Sequence, residues 1–274
     1  MRFIKSSLAI ALATLAIAAQ AGPVITNTVN ATTLASTIAG TGITISNASL
    51  TYAGTTLLAS PTGTFTGGTP SVGFDSGIVL TNGTTACATG TNTASNCGLD
   101  RGGNLGNGVF DKTTLAFDFT SGTGAVFFQY VFASEEYNEF VNGGVNDTFE
   151  LLLNGANIAL LPGNTIVSID TVNCGANSGF YRNNSSPSTT ACPNLNLSIQ
   201  YDGLTTILTA SGTVGTGINN FAFSIFDRGD GILDSGVFVK AGSFSGTNQV
   251  PEPGSLALVG AALFGLAVAR RRKT

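Results

Sequence analysis

Seven carboxylates are massed in two short segments of a chain in which only 9% of the 274 residues are charged. Ser134 to Asp147, SEEYNEFVNGGVND, carries Glu135, Glu136, Glu139 and Asp147, and Asp227 to Asp234, DRGDGILD, carries Asp227, Asp230 and Asp234. Acids mixed with asparagine and glycine make a hard-oxygen donor set. Ca²⁺ takes about six to eight oxygens from carboxylates, amides and backbone carbonyls, and glycine lets carbonyls turn inward. The two segments are therefore expected to hold Ca²⁺, although the EF-hand spacing D-x-[DN]-x-[DN]-G is not met. Solvated loop acids are the alternative, and Arg228 places a cation inside the second segment that would weaken a calcium site.

Other chemistries are narrowed by what is missing. With no histidine in the chain, Ser-His-Asp and Cys-His nucleophile systems lack their base. A carboxylate pair of the glycosidase kind remains available on the same seven acids. Tryptophan is also absent, however, and sugar-cleaving clefts commonly stack rings on such platforms, so the expectation is a protein without enzymatic activity. The four cysteines Cys87, Cys97, Cys174 and Cys192 allow three pairings. There is no C-x-x-C pair to suggest zinc, and an exported chain favours disulfides. Joining Cys87 to Cys97 and Cys174 to Cys192 would close two polar local loops, each stabilising by ~2–3 kcal/mol if unstrained.

Both acidic segments follow strongly apolar stretches, which points to the elements that position them. Leu115, Phe117 and Phe119 alternate with smaller or polar residues, the mark of a half-buried strand, whereas Ala125 to Ala133, AVFFQYVFA, reads as a central strand. Further strands are predicted at Ile43–Tyr52, Phe149–Leu153, Ile166–Ile169, Leu195–Tyr201, Leu204–Leu208, Phe221–Phe226 and Val237–Phe244, and Asp118 and Glu150 are expected to face outward from theirs. Glycine- and asparagine-rich turns separate these runs, so an all-β antiparallel sandwich of jelly-roll type is the expected fold. If the strands before the two acidic segments are neighbours, both loops emerge at one end of it.

The termini carry address signals. Arg2 and Lys5 precede the apolar stretch Leu8 to Ala19, and Ala19-Gln20-Ala21 is a small-x-small cleavage site, so residues 1–21 read as a signal peptide for signal peptidase. At the other end, Val250-Pro251-Glu252-Pro253 cannot continue a strand or helix. Gly254 to Ala269 is uncharged and would span ~24 Å as a short hydrophobic helix. Arg270, Arg271, Arg272 and Lys273 then close the chain and belong on the cytoplasmic side of the inner membrane. This order of motif, apolar run and basic end resembles the PEP-CTERM sorting signal of Gram-negative bacteria, which implies processing by an exosortase and a transient membrane anchor. Residues 22–249 are left as one body. It holds Arg101, Lys112, Arg182, Arg228 and Lys240 against 14 acids, a net charge near −9 where the whole chain has −4. Such a body repels nucleic acid and anionic membrane.

Within the body, SGIVLTNG (Ser76 to Gly83), FFQYVFASEEYNEFV (Phe127 to Val141), NDTFELLLNGANIALLPG (Asn146 to Gly163), VSIDTVN (Val167 to Asn173) and FSIFDRGDGILDSGVFVKAGSF (Phe223 to Phe244) together resemble the choice-of-anchor L domain. That is a bacterial extracellular domain found with alternative C-terminal sorting signals. The resemblance implies a secreted or surface-displayed protein, and it carries over no catalytic residues. The expected role is adhesion or biofilm at the surface or in the extracellular matrix, with exopolysaccharide or other surface proteins as partners. A carbohydrate-binding module is the principal alternative. A carboxylate-dependent glycan hydrolase and an ice-binding protein, the latter from the Thr-rich stretch Thr62 to Thr69, are lesser ones.

Overall fold

The structure, a computed structural model, describes residues 21–53, 60–94, 96–98, 103–185 and 188–248. In chain order the strands are β1 (Val24–Asn27), β2 (Ile43–Tyr52), β3 (Thr62–Thr66), β4 (Gly77–Thr81), β5 (Val109–Ser121), β6 (Ala125–Ser134), β7 (Thr148–Leu153) and β8 (Ala156–Asn157). They continue with β9 (Leu160–Leu161), β10 (Thr165–Ile166), β11 (Tyr181–Asn183), β12 (Gly203–Thr205), β13 (Leu208–Thr213), β14 (Asn219–Arg228) and β15 (Ser235–Lys240). A helix, α1 (Ala31–Ile38), follows the first strand.

Two antiparallel sheets face each other. The larger has the order β1-β3-β4-β15-β6-β12-β11, with β13 also paired to β6, and the smaller has β2-β5-β14-β7-β8. Inward residues of both form one core, among them Leu80, Phe128, Tyr130 and Phe132 from the larger and Leu115, Phe117, Phe149, Phe221 and Phe223 from the smaller. The larger sheet is buried on its other face as well. There Val79, Val131, Ala133 and Phe238 lie under loop residues Val72, Phe74, Cys87, Leu197 and Ile199. Burial on both faces explains why β6 reads as an unbroken apolar run, since from Phe128 to Ser134 every side chain, whichever way it points, leaves water. The smaller sheet keeps one wet face, so β5 alternates: Asp118 points outward, where Asn47 and Asn220 donate to its carboxylate.

Helix α1 is not predicted by the pattern of this Thr-rich region. The Asn30 side chain accepts from the Thr33 N–H at 3.0 Å, a good N-cap, and Leu34, Ala35 and Ile38 then share the face that packs into the core.

The expected strand Val237–Phe244 ends at Lys240 and turns there, and three others are altered more deeply. The run at Ile166–Ile169 is broken into the short strand Thr165–Ile166 and a single bridge from Ser168 to Thr148, because the Ser168 N–H turns to the Thr171 hydroxyl at 3.0 Å. Leu195–Tyr201 is irregular. The Asn184 amide accepts from Leu197 N–H and donates to the carbonyls of Ile199 and Tyr201, doing the work of a ladder. The third, Leu204–Leu208, is two strands, β12 and β13, which pair in succession along β6.

β6 fixes the two ends of the sandwich. Near its start Phe127 bridges to Ser245, and at its finish Ser134 opens the first acidic segment. Among the described residues no helix is long and apolar enough to cross a membrane.

Candidate functional site

The acids meet through β15. β6 and β14, the strands before the two acidic segments, lie in opposite sheets and are not neighbours. The second segment nevertheless runs straight into β15, whose Ser235 pairs with Ser134 at the end of β6. The Glu135 N–H accordingly reaches the Asp234 carbonyl at 3.1 Å. On the smaller sheet Phe226 pairs with Thr148, so Asp227 and Asp147 are flanking positions of adjacent strands. On the larger sheet Thr81 pairs with Gly236, which brings Asn82 alongside; its side-chain Oδ1 accepts from Ser235 N–H at 2.6 Å.

Asp147 and Asp227 form the centre, 0% and 1% exposed. Oδ2 of Asp147 accepts from the hydroxyls of Ser134, at 2.8 Å, and Ser235, while Oδ1 of Asp227 accepts from the Asn82 amide. The remaining oxygens, Asp147 Oδ1 and Asp227 Oδ2, are buried without a partner. The two carboxyls lie close enough for each to perturb the titration of the other.

Around this pair the other acids are held by backbone. The carboxylate of Glu136 accepts from Asp147 N–H at 2.9 Å. Glu135 accepts from Cys97 N–H at 2.8 Å on one oxygen and from Asp234 N–H at 3.1 Å on the other. The Asp234 carboxylate accepts from Thr84 N–H at 3.3 Å and sits between Gly83 and Gly98, where a Cβ on either glycine would collide with it. Asp111, 2% exposed, adds its charge to the field at Asp227 and accepts from Gly103 N–H at 2.8 Å.

Burial dominates the electrostatics. It raises Glu136 to about 9, with the Asp147 charge adding to the effect, and raises Asp147 to about 7. Glu135 is pushed up to about 7 by burial and by the charges of Asp234 and Asp202. Asp227 is moved well upward by burial and then by Asp147. Two buried carboxyls facing each other cannot both stay charged unless something positive lies between them, either a proton or a cation. The donors are all oxygen, which suits Ca²⁺ or Mg²⁺ rather than zinc or copper. Glu135 also lies near the sulfurs of Cys87 and Cys97, but those are joined to each other and offer no thiolate.

Five of the seven predicted acids are thus brought together: Glu135, Glu136, Asp147, Asp227 and Asp234. Glu139 is exposed and lines a cleft of about 330 Å³ with Asn92, Asn184, Asn194 and Asp202. Asp230 accepts from Ile232 N–H at 3.1 Å in a local turn at the edge of the cluster, where it lines a pocket with Glu136 and adds its charge to the field there. Arg228 does not enter the cluster; its guanidinium lies over the Phe226 ring, 5.7 Å from the centre. Sequence reasoning missed Asn82, Asp111, Ser134 and Ser235. Asn82 and Asp111 lie far from the acidic runs, and only the turn after an apolar strand, VLTNG, marked Asn82. Both local disulfides are present, Cys87–Cys97 and Cys174–Cys192. In the Thr62–Thr69 stretch Thr62 is buried, Thr64 half-buried and Thr66 and Thr69 exposed.

The signal peptide, but for Ala21, the sorting residues Val250, Pro251, Glu252, Pro253, Arg270, Arg271 and Arg272, and Arg101 lie outside the described residues. No curated protein and no solved structure matches the chain. Residues 249–273 match the PEP-CTERM protein-sorting motif, which makes the chain an exported surface protein sorted through an exosortase in Gram-negative bacteria. Residues 23–245, the whole of the sandwich just described, match the choice-of-anchor L domain, and the chain belongs to that family.

Proposed function

We propose that the mature protein is a nonenzymatic surface or extracellular-matrix component, serving adhesion or biofilm, whose acidic end is fastened by Ca²⁺. The observation that carries the calcium reading is the pair of buried, unpartnered oxygens on Asp147 and Asp227. Glu135, Glu136 and Asp234 supply further negative charge around it. At 0% and 1% exposure the central pair leaves no approach for a sugar ring, which argues against a glycosidase acid and base there. Calcium would replace the shared proton and tie β7, β14 and β15 at one end of the sandwich.

Sorting follows from the termini in this reading. Signal peptidase cuts after Ala21, the apolar run 254–269 holds the precursor in the inner membrane, and exosortase removes the tail at the Pro-Glu-Pro motif.

Isothermal titration calorimetry and thermal unfolding of the mature protein test the calcium site. At a hundredfold excess over Kd, Ca²⁺ should stabilise by ~2.7 kcal/mol. The Asp147→Asn, Asp227→Asn double variant should show no such gain. An absence of binding in millimolar Ca²⁺ would sink the site.

The cleft of Asn92, Asn184, Asn194, Glu139 and Asp202 favours a second reading, a carbohydrate-binding module. Amides and carboxylates are sugar-hydroxyl partners, and the Asn92 amide is already fixed between Asp202 and the Asn184 carbonyl. Loss of glycan-array signal in an Asp202→Ala variant is its test.

A further inference from the structure

The Cys87–Cys97 disulfide forms part of the wall of the acidic cluster. Cys87 is fully buried in the turn Thr85–Ala88, its sulfur 3.5 Å from Glu135 Oε2. Cys97 provides the N–H that holds the other oxygen of Glu135, and Gly98, the next residue, closes one side of the slot for Asp234. The other side of that slot is Gly83, followed by Thr84, which donates to Asp234. The loop from 83 to 98 therefore touches two of the clustered acids from both of its ends. The Cys87 end is held independently, because Gln200 N–H donates to the Cys87 carbonyl at 3.0 Å. The Cys97 end is tied covalently to it by the disulfide. Nothing comparable holds for Cys174–Cys192, which brackets β11, where the Cys192 carbonyl accepts from the Asn183 amide, and neither cysteine donates to these acids.

We infer that the Cys87–Cys97 disulfide is the switch of the cation site, so that the oxidised, exported chain captures Ca²⁺ and the reduced precursor does not. This rests on the calcium reading of the same acids. Closure is a thiol–disulfide exchange with an exported disulfide carrier: the two thiols lose two electrons and two protons, the S–S bond forms, and the carrier leaves as its dithiol. Once closed, Cys97 N–H and Gly98 stand in register with Glu135 and Asp234. Opening removes a donor from Glu135 and one wall from Asp234, and the cluster loses the rigidity on which cation affinity depends. Linkage makes the effect reciprocal, so bound Ca²⁺ must protect this disulfide from reduction.

The test compares Ca²⁺ affinity by calorimetry in the oxidised mature protein, in a Cys87→Ser, Cys97→Ser variant and in a Cys174→Ser, Cys192→Ser variant. The first variant should bind at least about tenfold more weakly and the second as the parent does. Affinity within twofold of the parent in the first variant would overturn the switch while leaving the calcium site standing. If oxidised parent protein binds no Ca²⁺, the calcium reading fails and the switch with it. Should the first variant fail to fold, redox titration of the parent protein with dithiothreitol decides. A tenfold coupling lowers the potential of Cys87–Cys97 by about 30 mV when Ca²⁺ is present, and an unchanged potential overturns the proposal.

Discussion

The two ends of the sandwich solve the same closure problem with opposite chemistry. Near the start of β6, Phe244 plugs the space between the sheets, with its ring 5.0 Å from Phe119, 5.2 Å from Phe117 and 5.0 Å from Phe221. At the far end of β6 that space is closed instead by Asp147 and Asp227 with Glu136 beside them, while Glu135 and Asp234 continue the acidic cluster against Cys87, Cys97, Gly83 and Gly98. An aromatic plug is complete on folding and needs no partner. A carboxylate plug is complete only with protons or a cation, which makes one end an unconditional part of the fold and the other a conditional one.

The largest expected effect breaks the unconditional end. Phe244→Ala empties a fully buried ring site and should cost ~3–5 kcal/mol, equally with and without Ca²⁺, read from urea midpoints. If that loss depended on calcium, the two ends would not be separate.

At the acidic end, Asp147→Asn with Asp227→Asn should leave stability without Ca²⁺ unchanged or raised by ~1 kcal/mol, since a like-charged buried pair is removed. The ~2.7 kcal/mol gain in excess Ca²⁺ should vanish. Thermal unfolding with calcium or a chelator reads both halves of this prediction.

A pH series sharpens the contrast at the rim. Burial, aided by the charge of Glu139, raises Asp202 from 3.8 to about 7. Because the folded value is the higher one, its contribution favours the fold below pH ~4 and is lost as pH rises through about 7. Stability should decline between pH 5 and 8, and Asp202→Asn should flatten that decline. A profile steeper in the variant than in the parent would contradict the assignment.

The smallest effect is expected where neither kind of closure operates. Lys112 meets Glu150 at 3.6 Å with both side chains about a third exposed, and Lys112→Ala should change stability by less than ~1 kcal/mol. Raising the salt concentration should erase even that difference.

Much of the fold is legible in the order of the residues. β5, β6, β7 and β14 are marked by alternation or by an unbroken apolar run, because the side-chain period of a strand is written directly in neighbouring residues. The two disulfides follow the local pairing expected of short polar loops. The irregular stretch 195–201 is not legible, because its backbone is satisfied by Asn184, a residue outside the stretch. Five of the seven acids are marked by their density, but Asn82 and Asp111 carry no local sign of joining them.

The address signals, the antiparallel class of the fold and the acidic character of the body need nothing beyond the chain's linear order, because all three are properties of contiguous residues. Which acids meet is a matter of long-range packing. Asn82 and Asp227 are 145 positions apart, and they are joined because β15 pairs with β4 and β6 while β14 pairs with β7 in the facing sheet. Periodicity records which face of a strand is buried, whereas the identity and register of its neighbours depend on how the whole chain packs.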